Sequence, residues 1–142
     1  MIEIKTYAGD YDRGEFYSHA GSFFAEPEYK NKIPYLQNRT GTVWFLALDN
    51  NKIVGFASVL EEATRIKFVD FYVIEECLDE KLQERLNKKR FDYTKDTQKP
   101  ICVITEFDER VKYWKTKGFV EQRTNGKYHY LIKEVSNEKP NK

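Results

Sequence analysis

One carboxylate stands inside a run that otherwise reads as a buried strand. Asp70 interrupts Ile66-Lys67-Phe68-Val69-Asp70-Phe71-Tyr72-Val73-Ile74 and, by the two-residue alternation of a strand, shares a face with Phe68 and Tyr72. Burial disfavours the charged form of a carboxyl group, so such an Asp titrates closer to neutrality and becomes a candidate general base. A half-solvated strand face, or a pairing with Lys67 or a cation of a neighbouring strand, would leave the same residue a structural one. The other reactive side chains carry weaker signals. Thr40, Thr42 and Ser58 have no activating base that the sequence identifies. His19 and His129 stand far apart without an acid or nucleophile beside them and read as structural. Cys77 and Cys102 are the only cysteines, each in an apolar stretch, which fits two reduced core thiols better than a disulfide framework or a zinc site. No metal is expected.

Glu75, Glu76, Asp79 and Glu80 place four carboxylates within six residues. Like charges at a protein surface repel one another and any phosphate brought beside them. At the start of a helix the same carboxylates complement the dipole. Downstream, Lys88-Lys89-Arg90 are cations suited to the negative end of that helix. Ten tyrosines are numerous for this length and read as amphipathic residues at the core edge, some able to line a groove.

The elements that must position these groups follow from periodicity. Residues 2–7 alternate as a strand. Asp12 with Glu15 three residues later has the pattern of a helix N-cap, and Phe16, Ala20, Phe23 and Phe24 follow on one helical face. Pro27 suits the first turn of a second short helix that Pro34 ends or kinks. Residues 42–48 and 52–60 are strand runs, apolar enough for burial on both faces, joined by a turn at Asp49-Asn50-Asn51. A strand over 65–74 precedes a helix striped by Leu78, Leu82 and Leu86. A buried-type strand over 101–105 precedes a helix marked by Phe107, Val111 and Trp114 that stops at Gly118. Residues 119–124 and 128–133 flank Asn125-Gly126, a hairpin signal. The order is β-α-α-β-β-β-α-β-α-β-β: one mixed, mostly antiparallel sheet of six to seven strands flanked by about four helices, an α/β (α+β) fold.

With 142 residues there is room for one domain, expected over 1–134, followed by a polar tail over 135–142. Lys+Arg 24 against Asp+Glu 23 leaves a net charge of +1, so no global field draws the chain to nucleic acid or an anionic bilayer, and any nucleic-acid contact needs a local patch. Hydrophobic residues at 40% rule out disorder for most of the chain. No apolar run near the N-terminus is long enough for a signal peptide or a membrane span, which reads as a cytoplasmic protein.

The element order and three local patterns resemble the GNAT superfamily of acyl-CoA-dependent N-acyltransferases over nearly the whole ordered chain. Lys52-Ile53-Val54-Gly55-Phe56-Ala57 is like the family's third strand with its embedded glycine, and Asp70-Phe71-Tyr72-Val73 is like the end of its fourth. Tyr113-Trp114-Lys115-Thr116-Lys117-Gly118-Phe119 is like the aromatic-to-Gly-Phe signature closing its last helix. The resemblance implies acetyl-CoA or another acyl-CoA as co-substrate. Its thioester would lie where the fourth and fifth strands diverge, expected at Ile74, against the main chain of Tyr72, Val73 and Ile74. In the family the pyrophosphate sits on a glycine-rich loop at a helix N-terminus. Here Leu78 takes that loop's Arg/Gln position and Lys81 and Gln83 take its glycine positions. The family's acid, a tyrosine four residues before Gly-Phe, is replaced by Trp114. Tyr113 points about 100° away around the helix and substitutes only if the helix is rotated; otherwise it is a surface tyrosine beside Arg110 and Lys117.

Carried onto this sequence, the resemblance makes Asp70 and Tyr113 the catalytic candidates. Glu26, Glu28 and Tyr29 become candidates for holding the acceptor, with helix N-terminal carboxylates beside Pro27 as the plainer reading of the two glutamates. The implied activity is transfer of an acetyl or other acyl group to a primary amine of a small molecule or protein. The alternative is a binding or regulatory module that keeps the fold but has lost acyl-CoA, meeting a protein or nucleic acid through Lys88-Lys89-Arg90 and Lys112, Lys115 and Lys117. Exposed strands in the last hairpin and the aromatic excess are compatible with a homodimer.

Overall fold

The computed structural model describes residues 2–33, 36–77, 80–106 and 108–134. Leu78, Asp79, Pro34, Tyr35, Phe107 and the expected tail over 135–142 lie outside the described residues. In chain order the elements are β1 (Ile2–Tyr7), α1 (Arg13–Ala25), α2 (Pro27–Lys32), β2 (Thr42–Asp49), β3 (Lys52–Glu61), β4 (Ile66–Val73), a 3-10 turn (Glu75–Cys77), α3 (Glu80–Tyr93), β5 (Ile101–Thr105), α4 (Asp108–Thr116), β6 (Val120–Asn125) and β7 (Tyr128–Lys133). The order is the expected one, with the 3-10 turn added.

Local chemistry accounts for several boundaries. Asp12 caps α1 by accepting the Glu15 N–H at 3.1 Å. Pro27 opens α2 where its missing N–H costs nothing. The β2–β3 turn centres on Asn50 and Asn51, with φ of 52° and 68°, the left-handed pair that matches strand twist in a two-residue hairpin. The β6–β7 hairpin is shifted by one residue from its expected centre. Asn125 pairs with Tyr128, so Gly126 and Lys127 form the turn, with Gly126 alone at positive φ.

The seven strands form one sheet in the order β1-β2-β3-β4-β5-β7-β6. Only β4 and β5 run parallel, as expected for strands joined by the α3 crossover. One face carries α1 and α2 over Phe16, Phe23, Trp44, Leu46 and Phe56. The other carries α3 and α4 over Phe45, Val59, Phe68, Leu86, Trp114 and Phe119. β2 and β3 are therefore buried on both sides. The two thiols depart from expectation: Cys77 and Cys102 are free but partly exposed rather than core residues.

Two irregularities shape β4. A Cβ placed on Gly55 would meet the Tyr72 carbonyl oxygen at 2.9 Å and Val73 Cγ2 at 3.1 Å, so the glycine in β3 is what lets the end of β4 approach. Further back, Ala57 pairs with Phe71 while Val59 pairs with Phe68, so β4 holds one more residue than β3 across that interval, a β-bulge at Val69 and Asp70.

Candidate functional site

The bulge changes which way β4 presents its side chains. Phe68 packs in the α3/α4 core and Tyr72 in the α1/α2 core, so the two lie on opposite faces, not on the shared face that simple alternation predicts. Asp70 goes with Ser58, which alternation places on the Phe56 side of β3. Ser58 Oγ donates to Asp70 Oδ2 at 2.9 Å and accepts the Asp70 N–H at 2.9 Å. Ser58 thus has an acid partner that the sequence did not reveal, but it is fully buried and closed to substrate. Lys67, the other partner considered for Asp70, instead faces Glu62 at 3.7 Å. Burial pushes the Asp70 carboxyl up to about 6, against the opposing pull of the Ser58 hydrogen bond, Arg39 and Arg90.

β4 and β5 pair at three positions, Ile66 with Ile101, Lys67 with Cys102 and Phe68 with Val103, and then separate. The divergence begins at Val69, well before Ile74. Between the separated strands lies a cavity of about 710 Å³, walled by Val69, Phe71, Ile104 and Thr105 and roofed by Gln83, Asn87 and Arg90 of α3 and Arg110, Tyr113 and Trp114 of α4. Val69 and Ile104 are 37% and 51% exposed, apolar surface left open across the gap. The Ile74 N–H donates to the Val54 carbonyl at 2.9 Å, so it is turned to β3 and away from the gap. Alternation of the antiparallel ladder sends Tyr72 to β3 as well. It turns the N–H groups of Phe71 and Val73 toward the side where β5 has left.

Helix α3 presents Arg90 beneath the bulge. Leu82 and Leu86 are buried, and Arg90 continues that stripe four residues on, 2% exposed, rather than joining Lys88 and Lys89 in solvent. Its Nη1 donates to the Ser58 and Asp70 carbonyls at 3.3 and 3.4 Å, and its Nη2 and Nε donate to Asn87 Oδ1 at 2.7 and 3.3 Å. The guanidinium stacks over Phe68 at 4.6 Å and lies near Phe71 and Trp114. Burial depresses its pKa to about 9, which still leaves a cation at neutral pH. Asn87 Nδ2 donates to the Tyr113 hydroxyl at 3.2 Å, and that hydroxyl donates to Glu84 Oε1 at 3.4 Å. A polar chain therefore runs from the bulge to the phenol. Burial, then the Glu84 charge, hold the Tyr113 hydroxyl above its ordinary range. Trp114 is 5% exposed against Phe68, Phe91 and Phe119, a core residue with one side on the cavity.

The structure divides the sequence-derived candidates into two groups. Gln83 and Tyr113 line the cavity, with the Val73 N–H turned toward it; Lys81 is exposed on α3 and does not line it. On the α1/α2 face, Tyr72 packs tilted against Phe56 at 5.9 Å and edge-to-face against Tyr29 at 6.0 Å, and Tyr29 packs on Phe23 at 4.4 Å. Glu28 is exposed and ion-paired with Lys32 at 3.6 Å, and Glu26 is exposed at the α1–α2 junction. Asp70 stands between the groups, at the point where β4 loses its β5 neighbour. Arg90 and Asn87 were missed as site residues; the continuation of the 82, 86, 90 stripe was the available signal for Arg90. His129 also differs from expectation, since its Nδ1 lies 2.6 Å from Glu121 Oε2 and its Nε2 3.5 Å from Asp108 Oδ1, away from the cavity.

No protein-family model matches the chain, and no curated protein matches it. Solved structures do. Escherichia coli ElaA superposes with a TM-score of 0.73 at 17% identity, covering 94% of this chain and 100% of that one. An acyl-CoA N-acyltransferase from Pseudomonas aeruginosa gives a TM-score of 0.75 at 11% identity over 94% and 99% of the two chains. A GNAT family acetyltransferase from Elizabethkingia anophelis, solved with acetyl-CoA bound, gives 0.62 at 16% identity over 94% and 98%. The chain has the GNAT fold.

Proposed function

We propose, taking the GNAT fold and its parted strands as the premise, that the protein is an N-acyltransferase that moves an acetyl or other acyl group from acyl-CoA to a primary amine. The observation that carries this reading is the β4–β5 gap, with the Phe71 and Val73 N–H groups on its edge and apolar walls about it. An extended, amide-bearing arm fits such an edge as an added strand would. Phe71 and Val73 would polarise the thioester carbonyl through their N–H groups. Asp70, poised near neutrality, takes a proton from the acceptor amine, and Tyr113 protonates the departing sulfur. One C–N bond forms and one C–S bond breaks. Tyr29, Tyr72, Glu26 and Glu28 on the α1/α2 face would receive the acceptor, the carboxylates favouring a cationic one. A single domain over 1–134, a cytoplasmic location and a homodimer belong to the same reading. The dimer rests on Val120, 66% exposed on the outermost strand β6. No described helix is long and apolar enough to cross a membrane.

The phosphate end of the donor fits less well. Glu75 and Glu76 are exposed where the chain leaves β4, and the glycines that would admit a diphosphate are missing. Lys81 is exposed nearby, whereas the Arg85 guanidinium is spent on the Ile2 carbonyl at 2.9 Å. This favours a second reading, a module that keeps the fold without the donor. Its basic surface is smaller than the sequence implied, because Arg90 is buried, Lys88 pairs with Asp92 at 2.9 Å and Lys117 with Glu84 at 3.7 Å. A thermal-shift titration separates the readings: a ligand at 100 times its Kd adds about 2.7 kcal/mol to folded-state stability. A flat response to acetyl-CoA up to millimolar concentration favours the module.

A further inference from the structure

Arg90 is a buried cation whose hydrogen-bond acceptors are all neutral: two backbone carbonyls and one amide oxygen. Among the described residues no carboxylate forms an ion pair with it. Asp70, the carboxylate whose charge acts on it, accepts its hydrogen bond from Ser58 instead. Buried charges are ordinarily paired, because taking a lone ion out of water is costly. Here the charge faces a cavity and sits beside the Phe68–Val103 pair, where the strands part. That is the closed end of the gap, beyond the Phe71 N–H that the proposed reading assigns to the thioester carbonyl. Three other charged groups line the cavity: Arg110 lies over Phe71 at 5.9 Å, while Glu84, paired with Lys117 at 3.7 Å, and Glu109 are exposed to solvent. Water screens those carboxylates more than it screens Arg90.

We propose that the closed end of the β4–β5 cleft is an anion pocket in which Arg90 receives the terminal carboxylate of a dicarboxylic acyl group, so that the preferred donor is an acyl-CoA of the succinyl class rather than an unsubstituted acyl-CoA. This rests on the acyl-donor reading. The terminal carboxylate supplies the missing counter-charge and takes no part in the bond changes at the thioester.

The test is calorimetric binding of the full chain to three probes at pH 7.5: free CoA, butyryl-CoA and succinyl-CoA, the last two matched in chain length. The expected result is succinyl-CoA tighter than butyryl-CoA by at least about tenfold, the factor of roughly one good charge-assisted contact. Arg90→Gln and Arg90→Lys, checked for folding by circular dichroism, should each bring the ratio of succinyl-CoA to butyryl-CoA affinity most of the way to one, whatever change the affinities for all three probes share. If either variant fails to fold, the comparison on the parent chain still decides. Equal or weaker binding of succinyl-CoA overturns the anion pocket alone and leaves the acyl-donor reading standing. No binding of any of the three overturns both.

Discussion

Arg90 and Asp70 meet through the main chain and not as an ion pair: Arg90 Nη1 donates to the Asp70 carbonyl at 3.4 Å, while Asp70 Oδ2 accepts from Ser58 Oγ at 2.9 Å on the other side of the strand. The bulge is thereby held from both faces. The cation satisfies carbonyls that the irregular ladder frees, and the carboxyl group stays available for titration.

Asp70 gives the clearest pH prediction. Its folded pKa of about 6 exceeds the ordinary value of 3.8, so the native state binds this proton more tightly than the unfolded chain. The native state therefore loses stability as pH rises through the interval between those values, and the loss is complete above it. Asp70→Asn removes that loss and should be more stable than the parent by roughly 2–3 kcal/mol at pH 8, the difference closing toward pH 4. Denaturant melts across that range measure it. A parent-to-variant gap that does not change with pH would contradict the assignment. Acyl transfer in the parent should rise through pH about 6 and fall by about 10² or more in the variant.

Ser58→Ala removes both hydrogen bonds to residue 70 and leaves a bulge N–H without its acceptor. The expected cost is about 1–3 kcal/mol. Because the Ser58 bond lowers the Asp70 pKa, its loss should also move the acidic limb of the rate profile to higher pH. A limb that stays put, in a variant that is destabilised, would show that another group titrates there.

Tyr113→Phe keeps the ring and deletes the hydroxyl that Asn87 bonds at 3.2 Å. The fold should lose about 1 kcal/mol. If Tyr113 protonates the leaving sulfur, kcat falls by about 10² with little change in the KM for the donor. A raised KM at constant kcat would instead make the hydroxyl a binding group.

Gly55→Ala places a methyl group 2.9 Å from the Tyr72 carbonyl oxygen. Overpacking of this kind costs about 1–3 kcal/mol. The strain falls on the end of β4 that the donor would bind, so donor affinity should drop further than that of a control such as Gly21→Ala, where the added methyl meets nothing within 4 Å. Unchanged donor affinity in a destabilised Gly55→Ala chain would separate β4 from the donor site.

Much of the architecture was readable from local chemistry. The apolar runs of β2 and β3, the Asn50–Asn51 turn, the Asp12 cap and the Gly118 stop each follow from residue type and period. The candidate site was less readable, because its geometry depends on one extra residue in β4. Alternation counted through residues 66–74 puts Phe68, Asp70 and Tyr72 together; the bulge sends Phe68 and Tyr72 to opposite cores. The same pairing rules could not say where β4 and β5 part, since both runs stay mainly apolar beyond their last paired residues, Phe68 and Val103. Arg90 was hidden by its neighbours: beside Lys88 and Lys89 it looks like one of three solvated cations, and only its position four residues after Leu86 distinguishes it.

The three-pair seam between β4 and β5 has a mechanical corollary. The sheet is two plates, strands 1 to 4 and the trio of 5, 7 and 6, clasped along about a third of the length of β4. Whatever lodges between them stands in for missing main-chain rungs, and the β6–β7 hairpin backs the wall it would lean on, since Tyr130 and His129 pair with Ile104 and Thr105 of β5.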